Sequence, residues 1–113
     1  MHELSLASDV IDLVTKEVGK HEVSSVEEIL IEVGDLSGVE AEIFEHAMMI
    51  VTKDTFLEHA VVKIKRTPGQ GHCSICDHDF EMKTFFDTCP ECRNFTIDIR
   101  QGREFRVVSL VIS

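Results

Sequence analysis

Apolar residues return along the first twenty positions at steps of three and four. Leu4, Ala7, Ile11, Val14 and Val18 fall on one line of a helical wheel, and Leu6, Val10 and Leu13 widen it to about half the circumference. The spacing predicts a helix over residues 3–20, ended by Gly19 and Lys20, with a face wide enough to lie on a sheet. The period then changes to two. Ile29, Ile31 and Val33 alternate with Glu28, Leu30 and Glu32, the pattern of a strand, stopped by Gly34 and Asp35. Ser37 with Glu40 three positions later fits a capping box. A second helix is therefore predicted, carrying Ile43, Phe44, Ala47, Met48 and Val51 and ending near residues 52–54. Residues 60–67 read as a strand with Val62 and Ile64 inward and Lys63 and Lys65 outward.

Residues 68–71, Pro-Gly-Gln-Gly, read as a turn or hinge, and from there to about residue 100 little helical or strand periodicity is visible. Residues 104–112 resume as a strand that is apolar on both faces, which places it in the middle of a sheet. The expected fold is α+β: two helices packed on a small three-stranded sheet, interrupted by an inserted module. The domains expected are residues 1–67 with 101–113, and residues 68–100.

The insert holds four cysteines. Cys73 and Cys76 form one CxxC, and Cys89 and Cys92 form a second after twelve intervening residues. Each CxxC makes a tight knuckle whose sulfurs point the same way, and two knuckles complete a tetrahedron around Zn2+. A module of about 30 residues buries too little apolar surface to fold alone, so a metal staple is expected, worth on the order of 10–16 kcal/mol. Phe80, Phe85, Phe86 and Phe95 are expected to cluster beside the metal. Four thiolates close the shell and leave no open position for catalysis. The rival readings are a redox dithiol and a pair of disulfides, but a thioredoxin-like motif uses one CxxC rather than two. His78, two residues after Cys76, is the nearby group able to exchange with a thiolate, and His72 precedes Cys73.

Composition narrows the context. The chain has 113 residues, 43% hydrophobic and 28% charged, which suits a globular protein. No apolar run approaches the roughly 18 residues needed to cross a bilayer. The first six residues lack a basic segment and a continuous apolar segment, so no signal peptide is expected. The cytosol follows, where thiols stay reduced and hold metal. A net charge of −10 repels phosphate backbones, which argues against nucleic acid as a partner.

At the start of the chain, the amine of Met1, the backbone amide of His2 and the His2 imidazole stand in chelating order. Divalent nickel or copper displaces an amide proton and binds such nitrogens in a plane. The Glu3 amide or a carboxylate can supply the fourth position. His21, His46 and His59 fall in polar stretches and read as solvent-facing.

Three segments together carry a resemblance over essentially the whole chain: Met-His-Glu-Leu-Ser-Leu from residue 1, Ile-Glu-Val-Gly-Asp-Leu-Ser-Gly-Val-Glu over residues 31–40, and the paired CxxC motifs. The closing Gln101-Gly102-Arg103-Glu104 and the apolar strand after it also fit. The chain resembles the HypA/HybF family of hydrogenase nickel-insertion proteins. The resemblance implies a nickel domain of two helices on a three-stranded sheet and a projecting zinc ribbon. It implies nickel cargo bound through His2 with backbone nitrogens of His2 and Glu3, and with an acidic residue at Glu40 in some members. It implies a structural zinc on Cys73, Cys76, Cys89 and Cys92. The implied partners are the GTPase HypB and the hydrogenase large subunit or its maturation complex, with urease maturation in some bacteria. A homodimer, including one that exchanges elements between chains, stays open. Some members carry a histidine near each CxxC and rearrange their zinc ligands with pH; here His78 matches the first, but Arg93 follows Cys92.

The function expected is therefore that of a nickel carrier rather than an enzyme, since no catalytic triad, phosphate loop or metalloprotease motif is present. The alternative is a zinc-ribbon module that binds protein or nucleic acid without a nickel role.

Overall fold

The structure, a computed structural model, describes residues 2–113. Its elements run α1 (Glu3–Val18), β1 (Val26–Gly34), α2 (Ala41–Thr52), β2 (Val61–Thr67), β3 (Gly69–Cys73), β4 (His78–Met82), β5 (Ile97–Gln101) and β6 (Phe105–Ile112). They form two three-stranded sheets, ordered β2-β1-β6 and β4-β3-β5. The chain divides into two compact units: Met1–Ile31, Glu40–Lys65 and Arg106–Ser113 make one, and Glu32–Val39 and Arg66–Phe105 the other.

In the first unit α1 packs on α2. α1 lies beside β6, where Leu13 and Val14 share a cavity with Val108 and Leu110. α2 lies beside β2, where Met49 and Thr52 share one with Val62. The core is Ala7, Val10 and Val14 of α1, Phe44, Ala47 and Met48 of α2, and Val26, Ile29 and Ile31 of β1, joined by Leu57. Each large aliphatic or aromatic side chain removed from water in this way contributes about 1.5–3 kcal/mol. The alternation read in β2 holds, with Val62 and Ile64 half-buried and Lys63 and Lys65 exposed. In β1 it ends at Ile31, after which Glu32, Val33 and Gly34 are all buried, Glu32 accepting a hydrogen bond from the Thr67 hydroxyl (2.5 Å).

Three expectations for this unit are corrected. The buried stripe of α1 is Glu3, Ala7, Val10 and Val14, one position round from the line through Leu4 and Ile11; Leu4 is 52% exposed. Glu3 joins this stripe because its carboxylate is used inside. α2 starts at Ala41 with Glu40 as N-cap and has no side-chain capping bond. Ser37 instead accepts a hydrogen bond from the Val39 amide (3.2 Å), a local turn, so no capping box forms. Finally, β6 is at the edge of its sheet and not in the middle.

The second unit carries strands where little periodicity was visible. β3 is central and antiparallel to both neighbours, opposing Gly71 to Phe80 and Ile99, and Cys73 to His78 and Ile97. Residues 69–71 therefore belong to a strand rather than a hinge. Its buried positions are Gly69, Gly71 and Cys73, with Met82 buried opposite them. A Cβ on Gly71 would lie 2.5 Å from the Met82 sulfur, and one on Gly69 would lie 2.5 Å from the Met82 carbonyl oxygen. Glycine here lets the thioether fill the space above the strand.

Candidate metal centre

The two CxxC turns have the same construction. In the first, the Asp77 amide donates to the Cys73 carbonyl (2.9 Å); in the second, the Arg93 amide donates to the Cys89 carbonyl (2.7 Å). Asp77 and Arg93 both take a left-handed conformation, each with φ of 61°. The chain thus reverses tightly after each second cysteine and turns its sulfurs toward one point. The first knuckle follows β3 directly and the second stands between β4 and β5.

The four Sγ atoms lie within 4.8 Å of one another. Cys73 and Cys92 are 3.6 Å apart, Cys76 and Cys89 are 3.4 Å apart, and none is joined in a disulfide. Four sulfurs at about 2.3 Å from one ion stand about 3.8 Å from each other in a tetrahedron, so these two pairs are within a few tenths of an ångström of the spacing zinc requires, and no other pair exceeds it by more than about 1 Å. The donor set fits the ion: soft, closed and four-coordinate.

The electrostatics divide the set by position in the turn. The Cys76 backbone amide donates to the Cys73 sulfur and holds its thiol down at about 7. Cys89 is also lowered: burial pushes it up, but the amides of Cys92 and Glu91 outweigh burial. Cys76 is pushed up to about 12, first by its hydrogen bond with the Cys89 sulfur and then by burial. Cys92 is raised too, because burial and the bond to Cys73 overcome the pull of the Asn94 amide. The first cysteine of each turn is thus shifted toward the thiolate and the second away from it.

The neighbouring histidines are engaged elsewhere. His72 is bridged by Asp79 at Nδ1 (2.6 Å) and Asp77 at Nε2 (2.9 Å), and the bond to His72 holds the Asp79 carboxyl below its usual range. His78 stacks on Phe80 with ring centroids 6.3 Å apart and planes 9° apart. The aromatic cluster expected beside the metal does not form. Phe86 is 91% exposed and Phe95 81%, while Phe85 is half in solvent with Arg103 over its ring. Apolar character alone led to that expectation; the knuckles leave these rings on the outside.

The N-terminal residues are placed differently. Met1 lies outside the described residues. His2 is the exposed N-cap of α1 and accepts from the Leu6 amide through its carbonyl (2.9 Å). Glu3 is only 4% exposed, and its Oε2 accepts a hydrogen bond from the Glu40 amide (3.1 Å). Glu40 keeps its side chain exposed at the start of α2. The structure thereby brings Glu3 to Glu40, with His2 adjoining in sequence. Among the described residues, the only group of three or more potential ligands within reach of one ion is the four cysteines. Sequence reasoning missed the buried carboxylate of Glu3; its signal was the spacing 3, 7, 10, 14, which carries it into the apolar stripe. His21, His46 and His59 are exposed, as read.

Comparison with known proteins places this arrangement. The profile of the family described as hydrogenase/urease nickel incorporation, metallochaperone, hypA matches residues 1–112. A hydrogenase maturation factor HypA of Parabacteroides distasonis is 39% identical over 112 residues, covering 99% of this chain and 97% of that protein. One of Geobacter metallireducens is 37% identical, covering 99% of each. The solution structure of the nickel metallochaperone HypA from Helicobacter pylori superposes with a TM-score of 0.67 at 24% identity, covering 99% of this chain and 97% of that one.

Proposed function

The chain belongs to the HypA family of hydrogenase/urease nickel-incorporation metallochaperones, and from that membership we propose that it carries Ni2+ at the tip of α1 for delivery to [NiFe]-hydrogenase. The ligands are the Met1 amine, the amide and imidazole of His2, and the Glu3 amide, with the Glu40 carboxylate assisting. The observation that carries this reading is the Glu3–Glu40 hydrogen bond. It ties the first turn of α1 to the first turn of α2, which supports a ligand set drawn from both helix starts. The opening amides of a helix are not consumed by its own ladder, which suits their use as metal-binding nitrogens.

The electrostatics favour a reversible grip. Two helix starts present positive dipole ends, which disfavour a cation. The ion is held only because the Glu40 carboxylate and two ionised amide nitrogens offset them. A carrier has to release its cargo, and moderate affinity serves that.

Zinc is the resident ion of this reading, held by Cys73, Cys76, Cys89 and Cys92 as a closed structural site. The chain catalyses no reaction of its own and works in the cytoplasm. Its partners are the GTPase HypB and the hydrogenase large subunit, with urease maturation as the other client. Exposed Ile75, Phe86 and Phe95 on the second unit favour a protein-contact role for the zinc ribbon alongside nickel carriage.

The test uses protein with its native N-terminus. His2→Ala, and separately a short extension ahead of Met1, are each expected to weaken Ni2+ binding at least about tenfold, equal to about 1.4 kcal/mol. Zinc content stays at that of the parent. Unchanged nickel affinity in both variants refutes the assignment.

A further inference from the structure

The two CxxC turns are alike in backbone and unlike in support. The first is the turn of a hairpin. β3 and β4 pair from Gly69 with Met82 to Cys73 with His78, so residues 74–77 span two bonded strands. The second has no such frame. Residues 83–96, which carry it, lie between β4 and β5 and contain neither strand nor helix. Segments with few bonds to the rest of a fold open at low cost.

Side chains widen the difference. His72, on the central strand, opposes Asp79 of β4 and Asp98 of β5. Its Nδ1 stands 2.6 Å from Asp79 and its Nε2 2.9 Å from Asp77, while Asp98 is taken by Arg100 (2.8 Å). Asp77 directly follows Cys76 and is the left-handed residue that closes the first knuckle. One imidazole, itself 19% exposed, therefore ties that closing residue to β3 and β4. The matching residue of the second knuckle is Arg93, whose exposed side chain makes no hydrogen bond or ion pair among the described residues. Glu91 approaches His78 only to 4.0 Å, beyond hydrogen-bonding reach. The remaining bonds there are local: the Asn94 carbonyl accepts from the Cys89 amide (2.9 Å), and the Asn94 side chain accepts from the Thr96 amide (2.9 Å). Ser74 donates to the Thr96 carbonyl (3.3 Å), past the end of the second knuckle.

We propose that the second knuckle is the opening half of the zinc site: Cys89 and Cys92 let go before Cys73 and Cys76, which His72 holds in place. His72 is then a positioning residue for the metal centre and not a ligand of it. The inference rests on the reading of the four cysteines as a zinc site, and it gives their two pairs unequal roles. Ion pairs to exposed carboxylates are modest, so the bracing by His72 changes the order of release a few-fold rather than deciding whether the site forms.

Limiting N-ethylmaleimide on the full-length, zinc-loaded protein, with the modified cysteines located by mass spectrometry, tests the order. Cys76 and Cys92 are the fair pair, since each is the second cysteine of its turn and each is exposed. Cys92 is expected to be alkylated at least about fivefold faster than Cys76. His72→Ala and, separately, Asp77→Asn are each expected to shrink that ratio at least about threefold. Asparagine tolerates the left-handed conformation, so the second variant removes the carboxylate and keeps the turn. A role of His72 in general stability alone would speed both cysteines together and leave the ratio. Asp98→Asn, which removes an acid outside the brace, is expected to leave it as in the parent. An equal or reversed order in the parent overturns the proposal, as does a ratio unchanged in either variant or lowered equally by Asp98→Asn. Metal analysis before alkylation separates the two readings. A chain that takes up no zinc overturns the zinc assignment together with this inference, whereas bound zinc with the reversed order overturns this inference alone.

Discussion

Glu3 is a carboxylate inside an apolar stripe, and its value lies in what it reaches. In an ordinary capping box the acceptor for the N-cap amide comes from three residues downstream. That position in α2 is Ile43, which has no acceptor. Glu3, 37 residues upstream, takes the role instead. Glu3→Ala is therefore expected to lower stability by about 1–3 kcal/mol, the cost of leaving a part-buried donor unmet. Glu3→Gln recovers part of the loss through its amide oxygen. Denaturant unfolding of the two variants checks this, and equal stability of Glu3→Ala and the parent excludes the capping role. The position was misread from sequence because residue type, not geometry, decides which positions count as apolar on a helical wheel. Ser37 and Glu40 show the converse: their spacing matched a motif that the backbone does not use. The cysteines were legible because metal chemistry allows so few spacings.

At the level of elements, legibility followed length and side-chain content. β1 and β2 announce themselves through Ile29, Ile31 and Val33, and through Val62 and Ile64. β3 does not, because its inward positions are Gly69, Gly71 and Cys73, which carry no hydrophobic signal. In β4 and β5 the alternation exists, Phe80 with Met82 and Ile97 with Ile99, but each strand is five residues long. The glycines of β3 matter for fit. Gly71→Ala would press a methyl against the Met82 sulfur and Ile97. A destabilisation of about 1–3 kcal/mol is expected, read in denaturant unfolding and in faster loss of zinc to a chelator. In a Met82→Ala background, itself less stable for its lost core, Gly71→Ala is expected to cost less than in the parent, and an equal cost would mean that Ile97 or the backbone, not the thioether, sets the limit.

For the whole molecule, the two units differ in what sustains them. The first has a contiguous core around Phe44, Met48, Ile29 and Ile31. The second has little beyond Val33, Leu36, Met82 and two buried cysteines, with the rings of Phe85, Phe86 and Phe95 exposed. Removing zinc is expected to abolish the slow amide exchange of β3, β4 and β5 while β1 and α2 keep theirs. Persistent protection of β3 in chelator would show that the second unit stands without its metal. The path of the chain adds a consequence of its own. It passes from one unit to the other after Ile31, Val39, Lys65 and Phe105. The zinc-bearing half is therefore not a cassette. It cannot be grafted elsewhere as one continuous fragment, and a single protease nick does not set it free. Whatever changes in one half during descent must remain compatible with the other, because the two are stitched four times.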